Sequence, residues 1–244
     1  MKIKIIANPK KPWAKEVASN LNLILSPKHS IVRSGADATI CVGGDGTILY
    51  ACHKNQINGP ILGIGGAKSY ICQLRFDNYK DKILGLLDDS CRENLLTLVC
   101  TINNKKYQVL NDVVVHATRY RVAEMDVTAR YGSGTQKSDS KTISFEGDGI
   151  IVSSSVGSAA YAYSAGGEKF KPTERKLVLV PICPYKRAMK SEVLNEGGSI
   201  SIKVGADCAF IVDGIFIRKL RTGEIVNVEK GSDMIFFSGV GNNE

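Results

Sequence analysis

The run Gly43-Gly44-Asp45-Gly46-Thr47 concentrates the clearest chemistry in this chain. Apolar residues 38–42 before it read as a buried strand, and Ile48-Leu49-Tyr50-Ala51-Cys52-His53 after it as the start of a helix. A strand that turns through glycines into a helix presents backbone N–H groups and the positive end of the helix dipole, an arrangement that suits phosphate. The glycines let backbone approach an anion without a Cβ clash. A carboxylate beside phosphate is repelled, so Asp45 has a chemical use there only if it binds a metal ion or takes a proton from an attacking hydroxyl. The combination points to phosphoryl transfer to an alcohol. The plain structural alternative is a tight strand-to-helix turn with Asp45 capping the helix.

Further polar clusters interrupt apolar stretches downstream. Asn111-Asp112 stands between Leu110 and Val113-Val114-Val115. Side chains with carbonyl oxygens are poor in strand interiors but suit the hydroxyls of a ribose; a turn or bulge is the alternative. Asp148-Gly149, then Ser153 to Tyr161, then Ser164-Ala165-Gly166-Gly167, are dense in small residues. Such a segment lets a flat group lie close to backbone, or forms glycine-rich turns between strands. Tyr161 suits stacking on a base or packing in a core, and Tyr163 is expected in the core. Gly63-Ile64-Gly65-Gly66-Ala67-Lys68-Ser69 looks like a second phosphate loop. It is not a Walker A motif, because Ala67 and Leu62 occupy positions that need glycine. Lys68 either reaches an anion or stands in solvent.

The elements that must position these residues change character along the chain. Residues 3–7, 38–42 and 61–64 read as strands and 13–25 as a helix, with Val17, Leu21 and Ile24 on one face. This strand–helix–strand rhythm implies a parallel sheet flanked by helices, where ligands sit beyond the carboxyl ends of the strands. Residues 43–47 and 65–68 both fall there. Residues 77–89 read as a surface helix. From residue 95 the pattern becomes strands and turns: 95–102, a turn at Asn103-Asn104, 107–116, 122–131, 142–145, 150–154, 176–180, 199–204, 209–212, 224–228 and 234–237. Residues 132–140 read as a mobile hairpin tip. The expected division is an α/β domain over 1–94 and a β-sandwich-like domain over 95–244, the last strand packing back on the first domain.

With 244 residues and 43% apolar content the chain can build one large or two modest cores. No run approaches a membrane span. Residues 1–4 open directly into a strand, so no signal peptide is expected. Seven scattered cysteines without a C-x-x-C pair, and three dispersed histidines, fit buried thiols in a reducing cytoplasm rather than a metal site. A formal charge of +8 favours anionic partners. The basic residues are spread along the chain without interleaved aromatics, which speaks against a nucleic-acid surface.

Gly43 to Thr47, Asn111-Asp112, Asp148 to Gly167 and Asp213-Gly214 occur in the order, and at about the spacing, of the NAD kinase family. The chain resembles its shorter archaeal and bacterial members over nearly its whole length. The resemblance implies an N-terminal α/β domain with a parallel sheet and an all-β, sandwich-like C-terminal domain. It implies transfer of the terminal phosphate of ATP, sometimes of polyphosphate, to the 2′-hydroxyl of the adenosine ribose of NAD, with Mg2+ accompanying ATP. By similarity Asp45 is the general base and Gly44 and Gly46 lie against phosphate. Asn111 and Asp112 match the family's Asn-Glu pair on the dinucleotide, and Asp148 an aspartate that contacts NAD. Ala159, Ala160, Tyr161 and Ser164 belong to the segment that cradles the adenine. A homodimer or homotetramer is implied, with no membrane or nucleic-acid partner. The chain departs from the family pattern at Asp112, Ala159, Gly65 and Ile215, where the family usually has Glu, Thr, Asn and Gln. Two rivals share features: a diacylglycerol or sphingosine kinase with the same glycine loop, and a non-catalytic NAD-binding homologue.

Overall fold

The computed structural model describes residues 1–118, 121–132 and 139–241. The chain runs through β1 (Lys2–Ala7), α1 (Pro12–Leu25), β2 (Ser30–Ile31), β3 (Ala38–Val42), α2 (Asp45–His53), β4 (Ile61–Gly65), β5 (Leu74–Arg75), α3 (Tyr79–Asp88) and β6 (Arg92–Leu95). Then follow β7 (Leu98–Ile102), β8 (Lys105–Val109), β9 (Asp112–Ala117), β10 (Ala123–Arg130), β11 (Ser140–Gly147), β12 (Gly149–Ser154), α4 (Tyr161–Ser164) and β13 (Lys176–Ile182). The last strands are β14 (Glu192–Asn195), β15 (Ser199–Val204), β16 (Cys208–Val212), β17 (Ile215–Leu220), β18 (Ile225–Lys230) and β19 (Met234–Phe237). The chain divides into two units, Met1–Leu95 with the segment from Met234 onward, and Leu96–Asp233.

The first unit is a seven-stranded sheet ordered β2-β1-β3-β4-β19-β6, with β5 also on β4. Its ladders are parallel except where β6 runs against β19. Every residue of β3 and β4 is buried, as parallel strands covered on both faces require. Helix α1 starts with Pro12, whose missing N–H costs nothing at the first helical position. It packs Ala14, Val17, Leu21 and Leu25 on Ile3, Ile40 and Leu62.

The second unit holds two antiparallel six-stranded sheets, β11-β10-β15-β18-β7-β8 and β14-β13-β12-β9-β16-β17. Cys100, Val127 and Ile202 of the first share one core with Val113, Val152 and Phe210 of the second. Alternation along β9, β12 and β13 sends Val114, Ile151 and Val178 to the opposite face, under Ala162 of α4 and Phe170. The centre of this sheet is therefore covered on both faces, and Val113-Val114-Val115 and Ile150-Ile151-Val152 are apolar without alternation for that reason. The α/β plus all-β architecture is the one expected.

Several elements differ from expectation. Residues 95–102 are not one strand. The chain leaves β6 at Leu95, and Thr97, fully buried, donates its hydroxyl to the Ser232 carbonyl (2.6 Å) while its own carbonyl accepts Gly231 N–H (2.8 Å). An unbroken apolar run carries no signal for that break. Tyr163 is not in the core: it is 57% exposed, because α4 turns Ala162 inward and its two tyrosines outward. Strands β14 and β17 arise from sequence without strong alternation and were not anticipated. The hairpin tip expected over 132–140 lies, at residues 133–138, outside the described residues.

Candidate active site

Each unit carries its own group of expected site residues. In the first, Asp45 is the first residue of α2, directly beyond the carboxyl end of β3. Gly44 precedes it as N-cap with φ +89°, a conformation a side chain strains to adopt. The amides of Gly43 and Gly44 are not open to an anion, as the sequence had implied. Both donate to the Ile64 carbonyl, at 2.9 and 3.2 Å. They fasten the loop to the end of β4 and leave the helix to begin at Asp45. Gly46 is exposed, with open space where a Cβ would stand. Lys68 stands exposed on the turn after β4.

The Asp45 carboxylate accepts the N–H of Tyr70 at 2.6 Å and that of Ile71 at 3.2 Å. The turn that follows β4 thus holds it, and a carboxylate with about four lone-pair sites keeps acceptor capacity beyond those two bonds. A further cation lies at the loop: Lys11 donates to the Gly43 carbonyl at 2.6 Å, with its ammonium 5.6 Å from the Trp13 ring centre. Asn8 reaches the Thr47 hydroxyl at 3.4 Å. Sequence reasoning passed over Lys11, although its loop follows β1 at the ligand-facing end of a parallel sheet.

The second unit carries Asp112, Asp148 and Tyr161, with Asp112 and Asp148 at opposite ends of the β9–β12 ladder. Strand β12 lies between β9 and β13, pairing Ser153 with Asp112 and Gly149 with His116 and with Ile182. Asp148 continues the ladder, donating its N–H to Ile182 and accepting that of Ala117. Burial first, then Cys183, Asp112 and Asp148, push the Tyr161 phenol up from its ordinary value. Asp112 is 5% exposed; burial, and then the neighbouring Asp213, raise its carboxyl to about 7. Removal from water disfavours the charged form, and a like charge adds to the effect.

The departure to Asp at 112 is seated by Asp213. The Asp213 carboxylate accepts the N–H groups of Leu110 (3.0 Å), Asn111 (2.7 Å) and Asp112 (3.2 Å), and its own N–H returns to the Asp112 carbonyl. Asp213 and Gly214 both have positive φ, as a two-residue hairpin turn between β16 and β17 requires. The serine-rich segment braces the neighbouring backbone. Ser153 and Ser154 donate to the carbonyls of Asn111 and Leu110. Gly157 presses on Asn111 so closely that a Cβ would sit 2.4 Å from its carbonyl oxygen. The segment's hydroxyls therefore fix the Asn111-Asp112 backbone, and the turn carrying Ala159, Ala160 and Tyr161 is seated against it. Ala160 and Tyr161 are exposed, Ala159 is half-buried, and Ser164 donates to the Ala160 carbonyl at 3.3 Å. The side-chain oxygen of Asn111 is buried without a partner. Asp148 raises the thiol of Cys183, whose role the sequence did not single out, above its ordinary value.

Comparison with known proteins gives this arrangement a family. A family model for the ATP-NAD kinase C-terminal domain matches residues 111–237. The NAD kinase of Chlorobium limicola is 30% identical, over 89% of this chain and 76% of that protein. That of Thermoplasma acidophilum is also 30% identical, over 91% and 79%. Among solved structures, an Archaeoglobus fulgidus NAD kinase in complex with ATP superposes with a TM-score of 0.80 at 20% identity, covering 98% of this chain and 94% of that one. A yeast NADH kinase complexed with NADH gives 0.82 at 17%, covering 100% and 84%. At those identities the structures establish a shared fold. The family match across more than half the chain, and relatives aligned along most of their length, establish that this chain belongs to the NAD kinase family.

Proposed function

We propose that the chain carries out its family's reaction, ATP-dependent phosphorylation of NAD to NADP, with Asp45 as general base. The 2′-hydroxyl oxygen of the adenosine ribose bonds to the γ-phosphorus of ATP, the bond from that phosphorus to the β–γ bridging oxygen breaks, and ADP leaves. The hydroxyl proton passes to Asp45. A loose transition state needs positioning and charge compensation more than covalent help, and Lys11 and Lys68 supply positive charge in the unit that carries Asp45. Asp112 and Asn111 accept ribose hydroxyls, the buried Asn111 oxygen having capacity to spare. Asp148 and Tyr161 complete the dinucleotide contacts, with Ala159, Ala160 and Ser164 along the adenine. Magnesium enters as Mg·ATP, a substrate. Among the described residues no three His, Cys, Asp or Glu side chains group to hold a metal of their own.

The observation that carries the reading is the Asp45 carboxylate, held by two backbone amides at the head of α2 where the parallel strands end. Purified protein with Mg·ATP and NAD should form NADP and ADP in equal amounts. Absence of NADP with NAD bound would leave a non-catalytic binder. Polyphosphate in place of ATP tests the donor, and NADH in place of NAD the acceptor. A homodimer or homotetramer is part of the proposal, supported by Phe216, 58% exposed on the edge strand β17, and checked by sedimentation. No helix among the described residues is long and apolar enough to cross a membrane. Seven free cysteines support a reducing, cytoplasmic setting.

A further inference from the structure

The amides of Tyr70 and Ile71 hold the Asp45 carboxylate, so whatever fixes their turn also aims that side chain. The first half of the turn closes on itself. Gly66 N–H donates to Ser69 Oγ at 3.1 Å, and Ser69 N–H to the Gly66 carbonyl at 3.0 Å. The second half lies on bare backbone, where a Cβ on Gly63 would stand 2.9 Å from the Cys72 Cα. It ends at Gln73, a polar side chain only 8% exposed. Two strands share the edge of β4 at this place: β19 meets it with Phe236 opposite Ile61, and β5 begins with Leu74 opposite Ile64. The Gln73 amide fills the interval. Its Oε1 accepts Gly63 N–H at 2.6 Å, and its Nε2 donates to the carbonyls of Ile61 at 3.3 Å and Phe237 at 2.9 Å. Accepting from residue 63 while donating to residue 61 is the pattern that a parallel strand would make opposite Leu62. The side chain thus stands in for a missing strand residue and ties the chain end into the same spot.

We propose that Gln73 is a positioning residue for the general base: by locking the end of the turn to β4 and β19 it holds the two amides that aim Asp45. This rests on Asp45 being the base. A single residue, Cys72, separates Gln73 from Ile71, and two residues of chain reach about 7 Å at most, so the amides cannot drift far while the side chain is bound. A primary amide suits the place because it offers two N–H donors and a carbonyl on one planar group, matching the one amide and two carbonyls that face it. An apolar side chain of equal length would leave all three buried and unpaired, and the turn would be free to shift. A small shift of a catalytic group is felt in the chemical step far more than in substrate binding.

The test uses the full chain with Gln73→Met, Asp45→Asn and Leu25→Ala, each checked for native circular dichroism. Leu25, fully buried in the last turn of α1, lies at the end of that helix away from Asp45, so its truncation reports lost stability alone. In Gln73→Met kcat should fall about 10- to 100-fold, with KM for ATP and NAD within about twofold of wild type. Leu25→Ala should lower the denaturation midpoint and keep kcat. Amide hydrogen exchange followed by NMR gives a readout independent of turnover. In the wild type the Tyr70 and Ile71 amides should be protected to within about tenfold of the Gly63 amide. In Gln73→Met they should exchange at least about tenfold faster, while the Asn8 amide, bonded to the Val42 carbonyl, keeps its rate. The wild-type measurement decides the matter even if Gln73→Met fails to fold: Tyr70 and Ile71 amides exchanging about a hundredfold faster than that of Gly63 overturn the inference. So does a folded Gln73→Met with unchanged kcat, where the residue would be merely structural and resemble Leu25→Ala; inactive Asp45→Asn in the same assay leaves the base assignment standing. An active Asp45→Asn instead overturns the base assignment, and the inference with it.

Discussion

At the scale of single residues, the two acidic groups have opposed environments. Asp45 is half-buried and held by backbone donors, which suits a carboxylate that must stay aimed. Replacing it with Asn should reduce turnover by about 10²- to 10⁴-fold, the usual contribution of general-base catalysis, with the thermal unfolding transition retained; steady-state NADP formation measures this. Asp112 is buried beside another carboxylate, with its own pushed up to about 7. From about pH 4 to about pH 7 the folded chain keeps a proton there that the unfolded chain has lost. Stability therefore falls as pH rises through that window and levels off above it. Asp112→Asn should flatten this dependence and stabilise the chain by about 1–3 kcal/mol at pH 8, as urea unfolding at pH 5 and pH 8 would show. Its ionised form is the better acceptor for ribose hydroxyls, so NAD affinity in the wild type should tighten from pH 6 to pH 8. That trend should vanish in the variant.

At the scale of elements, the dinucleotide residues depend on how closely backbone meets backbone. The Gly157–Ala159 turn rests on Asn111, and Asp213 holds the start of β9 by three amides. Gly157→Ala would drive a methyl into the Asn111 carbonyl, where no flexible side chain can yield. The expected result is a loss of about 1–3 kcal/mol in stability and a raised KM for NAD; chemical denaturation and kinetics together test it. On the far edge of the same unit, Glu224 accepts both Arg218 Nη groups, Arg221 N–H and the Asn103 amide. Those bonds, the Arg218 pair foremost, lower its carboxyl to about 2. The stabilisation is present above the ordinary carboxylate range and is lost as pH falls toward 2. Glu224→Gln should therefore cost stability at pH 7 and almost none at pH 2.

At the scale of the whole molecule, the first unit is completed by the end of the chain. β19 enters its sheet between β4 and β6, with Phe236 and Phe237 fully buried. Gln73 donates to the Phe237 carbonyl at 2.9 Å, and Arg92 stacks on the Phe237 ring at 4.0 Å. The family match ends at that same residue, 237. Phe237→Ala should cost about 3–5 kcal/mol, seen as a lowered denaturation midpoint for the unit that carries Asp45, more than 140 residues earlier in sequence.

What could be read from the chain alone follows from local rules. Glycines around an aspartate between an apolar run and a helix mark a turn at a strand end, whatever surrounds it. Frequent short apolar runs announce the β unit, and the Asn103-Asn104 pair one of its two-residue turns. Tertiary structure decided the rest because it concerns partners distant in sequence. That Ile64 takes the amides of Gly43 and Gly44, that the amides of Tyr70 and Ile71 hold Asp45, and that the serines serve Asn111 depends on which strands lie side by side. The burial that lifts Asp112, and the outward turn of Tyr163, likewise arise only once sheets have packed. Local periodicity encodes which face is apolar; only the assembled layers determine what covers it.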